Sequence, residues 1–120
     1  MTGPGSVALR ESLEGLTRIR GVVGAMLVSA DDGLVVAETL MEGIPGEAVA
    51  ALAASLTRRI TDSTAAAGFT APAFLHLQAA TGAVLVAPSS GELLLVAVGD
   101  RELNPGLTRI QMLQVAESVG

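Results

Sequence analysis

The sequence contains no cysteine, tryptophan or tyrosine, and its only aromatic residues are two phenylalanines. Without cysteine the chain has no disulfide framework and no thiolate metal site, which fits a reducing cytoplasm. Without aromatic rings to stack on bases, single-stranded nucleic acid is not an expected ligand. The core must therefore be packed from Ala, Val, Leu and Ile, with close approach of small residues in place of bulky rings.

Positive charge is also scarce. The chain has 7 basic residues, all of them arginine, against 12 acidic residues, for a net charge of −5. Binding to nucleic acid requires clustered positive charge, so that class is excluded as a main function. No apolar run approaches the roughly 20 residues that span a bilayer, and residues 1–5 do not resemble a signal peptide. We expect a cytoplasmic protein without membrane insertion.

The length of 120 residues predicts a single domain over 1–120, with a flexible start at residues 1–5. Mean hydropathy is high, at +0.58. Large exposed apolar surface is typical of an interface, whereas a core rich in Ala and Val explains the same value without one. Composition alone favours neither reading.

Residues 20–40 contain the strongest local signal, two apolar β-branched runs joined by Asp32-Gly33. An Asp-Gly step between such runs is typical of a β-hairpin. Both runs are apolar at nearly every position, which predicts a hairpin covered on both faces in the middle of a sandwich. The loop length and the register remain open, because one residue of slip exchanges the two faces.

The remaining elements follow from periodicity and from turn residues. Tight turns between the later strands make those strands antiparallel neighbours. The predicted elements are a helix over 6–19 capped by Ser6, the hairpin, a helix over 47–67 ended by Gly68, strands over 71–80, 83–87 and 92–98, and a last helix capped by Asn104. This order predicts an α+β fold, a three-layer α/β/α sandwich around a five-stranded antiparallel sheet.

The middle helix has two different sides. Larger apolar residues recur along one side and are expected to face the core: Val49, Leu52, Leu56 and Ile60. The other side is small and nearly uncharged, which is unusual for a helix face in water. We expect it to pair with a second copy, through Ala50, Ala51, Ala54, Thr57 and Thr61. An edge strand carrying Phe74 and His76 is expected to join the same dimer interface.

The order of elements and four local motifs resemble the Roadblock family, the small domain of dynein light chains and of bacterial gliding-motility regulators of the MglB type. The motifs are GVVGA at 21–25, DGLVVA at 32–37, LAASL at 52–56 and GLTR at 106–109. Each motif is weak alone, and their order is moderately specific. Longin and profilin-like domains share much of this architecture.

The resemblance implies a profilin-like topology and a dimer in which middle helices pair and edge strands form a continuous sheet. It also implies a partner, a Ras-like small GTPase or a larger scaffold. Relatives close to the gliding-motility regulators stimulate GTP hydrolysis by reshaping the GTPase, without lending an arginine. Because this chain has nothing after the third helix, unlike those regulators, dimerisation carries over more securely than GTPase activation.

Residues for catalysis or cofactor binding are few. His76 is the only histidine, and no Gly-x-Ser-x-Gly elbow or phosphate-binding glycine motif is present. Asp31 and Asp32 are more simply turn residues than cation ligands. The sequence therefore predicts no enzyme, no metal and no cofactor.

Arg58 and Arg59, midway along the middle helix, are candidate contacts to an acidic switch region of a GTPase, or plain solvated charges. The main hypothesis is a non-catalytic dimeric module that regulates or scaffolds a Ras-like GTPase. The alternative is a structural adaptor subunit of a larger complex with no nucleotide-dependent role.

Overall fold

The computed structural model describes residues 4–89 and 92–119. Its elements are α1 (Pro4–Thr17), β1 (Val22–Ser29), β2 (Val35–Leu40), α2 (Gly46–Ala66), β3 (Leu75–Ala79), β4 (Gly82–Ser89), β5 (Leu93–Gly99) and α3 (Pro105–Val119). The predicted order of helices and strands is confirmed. No helix in these two ranges is both long and apolar enough to cross a membrane.

The five strands form one antiparallel sheet in the order β2-β1-β5-β4-β3. The continuous apolar run of β5 lies inside the sheet, as its composition indicates. The hairpin lies in the middle layer of the sandwich, as predicted, but the expectation that both of its strands are covered on both faces is wrong. Only β1 is central, while β2 is an edge strand whose residues alternate between half-buried and exposed.

Helices cover both faces of the sheet. On one face, α1 and α3 pack Leu13, Leu16 and Met112 against Leu85 and Leu95. On the other face, the α2 residues Ala50, Ala53 and Ala54 pack against a set of sheet residues from β1, β4 and β5: Met26, Val28, Val86, Leu94 and Val96. The three-layer α/β/α sandwich is therefore confirmed.

Local sequence signals place most of the element ends. Asn104 Oδ1 accepts a hydrogen bond from Leu107 N at 3.0 Å, which confirms the cap of α3. Helix α1 begins at Pro4, so Ser6 is not its cap, and of the predicted flexible start only residues 1–3 lie outside the described ranges. Strand β3 begins at Leu75 rather than at residue 71.

The sequence predicts a turn between β1 and β2 and another between β4 and β5, and the structure describes only the first of them completely. The β1–β2 turn is longer than two residues, since Ser29 N donates to Leu34 O at 2.9 Å. Inside it, Leu34 N donates to Asp32 Oδ1 at 3.1 Å and Gly33 has φ +72°, so the turn prediction for this Asp-Gly step is confirmed. The predicted turn between β4 and β5 includes residues 90 and 91, which lie outside the described residues.

Candidate functional site

The structure exchanges most of the two sides predicted for α2, although Val49 packs against the core as expected. Ala50, Ala54 and Thr57 are buried within the chain itself, at 0%, 3% and 9% exposure. Leu52, expected in the core, is 43% exposed, and Leu56 and Ile60 are only half-buried. Ala50, Ala54 and Thr57 therefore cannot form the face that meets a second copy, because the chain's own sheet already covers them.

Close packing explains the reversal. The small side of α2 lets the helix backbone approach the sheet and the hairpin loop. A Cβ built on Gly33 lies 3.5 Å from Ala54 Cβ and 3.5 Å from Ala51 Cα. Ala51 thus lies on the flank of α2 beside the hairpin, with its side chain exposed, and Thr61 is half-buried further along the helix. Larger residues at the buried positions, such as Ala50 and Ala54, would force the helix away from the sheet.

Thr57 provides a direct test of this packing. Among the described residues, its Oγ1 is a buried polar atom without a hydrogen-bond partner. An unsatisfied buried hydroxyl is destabilising, so Thr57→Val is expected to raise the free energy of unfolding by about 1 kcal/mol. Urea unfolding followed by circular dichroism at fixed protein concentration measures it. The control is Thr64→Val, which removes the 3.0 Å bond from Thr64 Oγ1 to Thr61 O and should give no gain. An equal gain in both variants would contradict the explanation.

An open apolar cleft of 480 Å³ lies beside α2, on the half of the sheet nearer to β3. Leu52 forms its helix side, and Leu77, which is 41% exposed, forms its strand side. Other residues line the cleft from the strands and loops: Val23, Ile44, Ala79, Thr81, Gly82, Ala83, Val84, Val98, Gly99 and Asp100. The lining is apolar apart from Thr81 and Asp100, so the cleft suits an apolar side chain or a helix rather than a charged ligand.

The cleft follows from the dimensions of the layers. Outer strands of a five-stranded sheet lie roughly 19 Å apart, whereas one helix with its side chains is about 10 to 12 Å wide. Two helices cover the opposite face, but α2 alone covers this one. It is held over the β1–β2 hairpin by Arg58, whose Nη2 donates to Asp31 O at 3.1 Å. In the part of the chain that the structure describes, no helix covers the β3 side of this face.

Strand β3, which borders the cleft, is an outer strand of the sheet and pairs only with β4. Its residues alternate, so Leu75 and Leu77 face the α2 side and His76 faces the other. Phe74, immediately before the strand, packs against the α1 and α3 layer, with the guanidinium of Arg109 5.7 Å from its ring centroid. His76 is exposed, and its Nε2 lies 2.9 Å from Gln78 Oε1. The side chains of Phe74 and His76 therefore lie away from the cleft, and only His76 belongs to the edge strand that borders it.

The two candidate arginines have different surroundings. The guanidinium of Arg58 donates a hydrogen bond to the carbonyl oxygen of Asp31 in the hairpin loop. Arg59 is exposed on the outward side of α2. Asp31 and Asp32 are exposed turn residues, and within the described ranges no three acidic or histidine side chains are grouped to hold a metal ion.

The sequence reasoning missed Leu52 and Leu77 as surface residues. Local sequence patterns do not indicate them, because the side of α2 that meets the sheet is decided by packing between distant parts of the chain. In the structure, Ala50, Ala53, Ala54 and Thr57 are buried, and the stripe of Leu52, Leu56 and Ile60 is the more accessible one.

Comparison with known proteins gives concordant results. The family model described as Roadblock/LC7 domain matches residues 9–99. Uncharacterized protein MJ1340 of Methanocaldococcus jannaschii is 31% identical over 104 residues, 87% of this chain and 90% of that protein. A solved structure of MglB with tetrameric arrangement superposes with a TM-score of 0.89 at 22% identity, covering 99% of this chain and 90% of that one. The gliding protein MglB from Thermus thermophilus superposes with a TM-score of 0.87 at 20% identity and the same coverage. At these identities the structural matches show a shared fold.

Proposed function

Because the chain belongs to the Roadblock/LC7 domain family, we propose that it is a non-catalytic interaction module that forms a homodimer and regulates or scaffolds a Ras-like small GTPase. The observation that carries the proposal is the apolar cleft between α2 and the free edge of β3. A second copy of α2 is a helix of the right kind to cover this half of the sheet.

Apolar exposure supports dimerisation through this cleft. Leu52 and Leu77 are both more than 40% exposed although they border the same depression. Leu56 and Ile60 continue the stripe from Leu52 at helical spacing, and both are half-buried in the single chain. A two-fold axis beside β3 would bring two such stripes together and remove them from water.

The two edges of the sheet differ in how well they suit pairing with another strand. At β2 the register shifts opposite Leu27 and Val28, and the strand carries the exposed Glu38. Bulges and charges are features that protect an edge from further pairing. Strand β3 pairs in regular register and contains no charged residue or proline over Leu75–Ala79. We therefore propose β3 as the strand that extends the sheet across the dimer.

The non-catalytic part of the proposal is supported by the residue types available. The chain has one histidine and no cysteine, and His76 lies exposed beside Gln78 rather than beside a nucleophile. Among residues 4–89 and 92–119, the only side-chain hydrogen bond of His76 is the one with Gln78, which is neither a nucleophile nor a base.

The GTPase partner is supported by the family and by the likeness in fold to MglB structures. In the proposed dimer the two α2 helices lie side by side, so their outward residues form one composite surface. Arg59 belongs to that surface, and we propose it as the contact to acidic residues of the GTPase. Arg58, tied to the hairpin loop, would serve mainly to hold that surface in place. Such a module would act in the cytoplasm, where its partner resides.

A nucleotide-dependent binding experiment tests the partner. The immobilised protein is mixed with the Ras-like GTPases encoded in the same genome, loaded with GDP or with a non-hydrolysable GTP analogue. We expect one GTPase to be retained more strongly in one nucleotide state, and Arg59→Glu to weaken retention about tenfold, as for a charge reversal at an interface. Arg101→Glu, on the loop before α3, is the control and should have no effect.

The other outcomes are equally informative. Retention that is equal with GDP and with the GTP analogue would favour the alternative function, a structural adaptor. Absence of retention for every GTPase tested would contradict the regulatory proposal.

A further inference from the structure

Phe69 is the most exposed large apolar side chain among the described residues, at 71%. It lies in the connection between α2 and β3, six residues before Leu75. It is also one of only two aromatic residues in the chain. A large ring left in water in a protein with so few rings indicates contact with something outside the single chain.

The backbone holds this ring in a defined place. Gly68 follows α2 with φ +88°, its N–H donates to Ala65 O at 3.0 Å, and Phe69 N–H donates to Thr64 O at 2.8 Å. These two bonds form a Schellman motif, with Gly68 as the predicted C′ residue. Because the helix end fixes the backbone at Phe69, the ring projects from a defined position, and only its side-chain rotamer is left to be ordered by a contact.

Phe69 and the cleft lie at opposite ends of the sheet. The cleft is at the end formed by Ala79, Gly82 and Gly99. Phe69 precedes Leu75, the first residue of β3, and so belongs to the other end, where Arg58 of α2 meets the hairpin loop. Within one chain, Phe69 is therefore not placed to cover its own cleft.

A two-fold axis at β3 brings the Phe69 of one protomer to the same end of the sheet as the cleft of its partner. Antiparallel pairing of two β3 strands places the Leu75 end of each strand beside the Ala79 end of its partner. Each Phe69 then lies at the end of the sheet that carries the partner's cleft. The inference rests on the proposed homodimer and adds a specific contact to it.

We propose that Phe69 of each protomer inserts into the partner's cleft, between Leu52 of α2 and Leu77 of β3, with Val23, Ile44 and Val98 at its base. An aromatic ring in an apolar recess is the usual form of an interface hot spot. The occupant of the cleft is thus a second copy of this chain. The two symmetric insertions stabilise the pairing of the two β3 strands.

The first test measures dimer affinity by analytical ultracentrifugation. Phe69→Ala is expected to raise the dissociation constant of the dimer about tenfold or more, since each dimer loses two buried rings. The matched control is Leu34→Ala, which truncates a side chain that is 65% exposed beside β2 at the opposite edge, and which should leave the constant unchanged. Equal constants for wild type and Phe69→Ala would overturn the inference.

The second test is cross-linking, which the absence of native cysteine makes specific. Protomers with Phe69→Cys are mixed with protomers with Leu77→Cys and oxidised. We expect a species of twice the 12.0 kDa chain mass in which mass spectrometry of the linked peptides finds the position-69 cysteine joined to the position-77 cysteine, and no such link between different positions when Leu34→Cys replaces Phe69→Cys. A dimeric wild type without the Phe69–Leu77 cross-link would overturn this contact while leaving the proposed dimer intact. A wild type that stays monomeric would instead overturn the dimer, and the insertion with it.

Discussion

Replacing Leu52 with arginine is expected to convert the proposed dimer into a folded monomer. Leu52 borders the cleft and is 43% exposed in the single chain, so arginine at this position has room in the monomer. In the dimer, the same side chain would place an unpaired guanidinium inside an apolar contact. That penalty is about 3 kcal/mol or more, which raises the dissociation constant by more than about 100-fold.

Light scattering at micromolar concentration measures this effect. Wild type should have twice the 12.0 kDa mass of one chain and Leu52→Arg the mass of one chain, with similar circular dichroism spectra. The matched control is Ala51→Arg, one residue earlier on the exposed flank beside the hairpin loop. It adds the same charge to the same helix and should remain dimeric.

The opposite pattern would be decisive against the proposed interface. A monomeric Ala51→Arg together with a dimeric Leu52→Arg would show that the dimer uses the hairpin flank of α2. The cleft would then need another occupant, and Phe69 would need another contact.

The elements with local signals could be predicted from the sequence. Asn104 and Gly68 lie where their side chain or backbone satisfies a helix end, and Asp32 and Gly33 form the turn that their dipeptide indicates. Each of these interactions is made within a few residues along the chain. The order of elements followed from such signals, and with it the layer architecture.

The position of β2 could not be predicted in the same way. Strand β1 pairs on its other side with β5, about 70 residues later in the chain, and that pairing leaves β2 at an edge. An apolar run is compatible with both positions, because an edge strand also buries the face that a helix covers. Strand order depends on long-range pairing, which hydrophobic periodicity does not encode.

The prediction of which side of α2 faces the core failed for a different physical reason. Periodicity identified both stripes of the helix correctly, but size was used to assign the larger stripe to the core. The helix backbone lies close to the hairpin and the sheet, and Ala50, Ala53 and Ala54 are buried there without room for larger side chains. The larger stripe is thereby left for the cleft, where the proposed function places a second copy.

Ala54→Arg is the substitution with the largest expected effect on stability. Ala54 is 3% exposed and packs in the cluster that contains Met26, Val86 and Val96. An arginine there either buries its charge without a partner or pushes α2 away from the sheet. Each route is expected to lower the free energy of unfolding by about 3 kcal/mol or more.

Urea unfolding followed by circular dichroism measures this loss, with Ala51→Arg as the control for charge and helix propensity. Because dissociation of a dimer also lowers apparent stability, Ala54→Arg is compared with Leu52→Arg at the same protein concentration. Leu52→Arg is expected to give the apparent stability of the monomer, so a further loss of stability in Ala54→Arg reports packing within the chain. If Ala54→Arg were a monomer as stable as Leu52→Arg, the small side of α2 would face outward, as its composition first indicated. If Ala54→Arg alone loses the fold, the side of α2 rich in alanine belongs to the core and the leucine stripe is left for the partner.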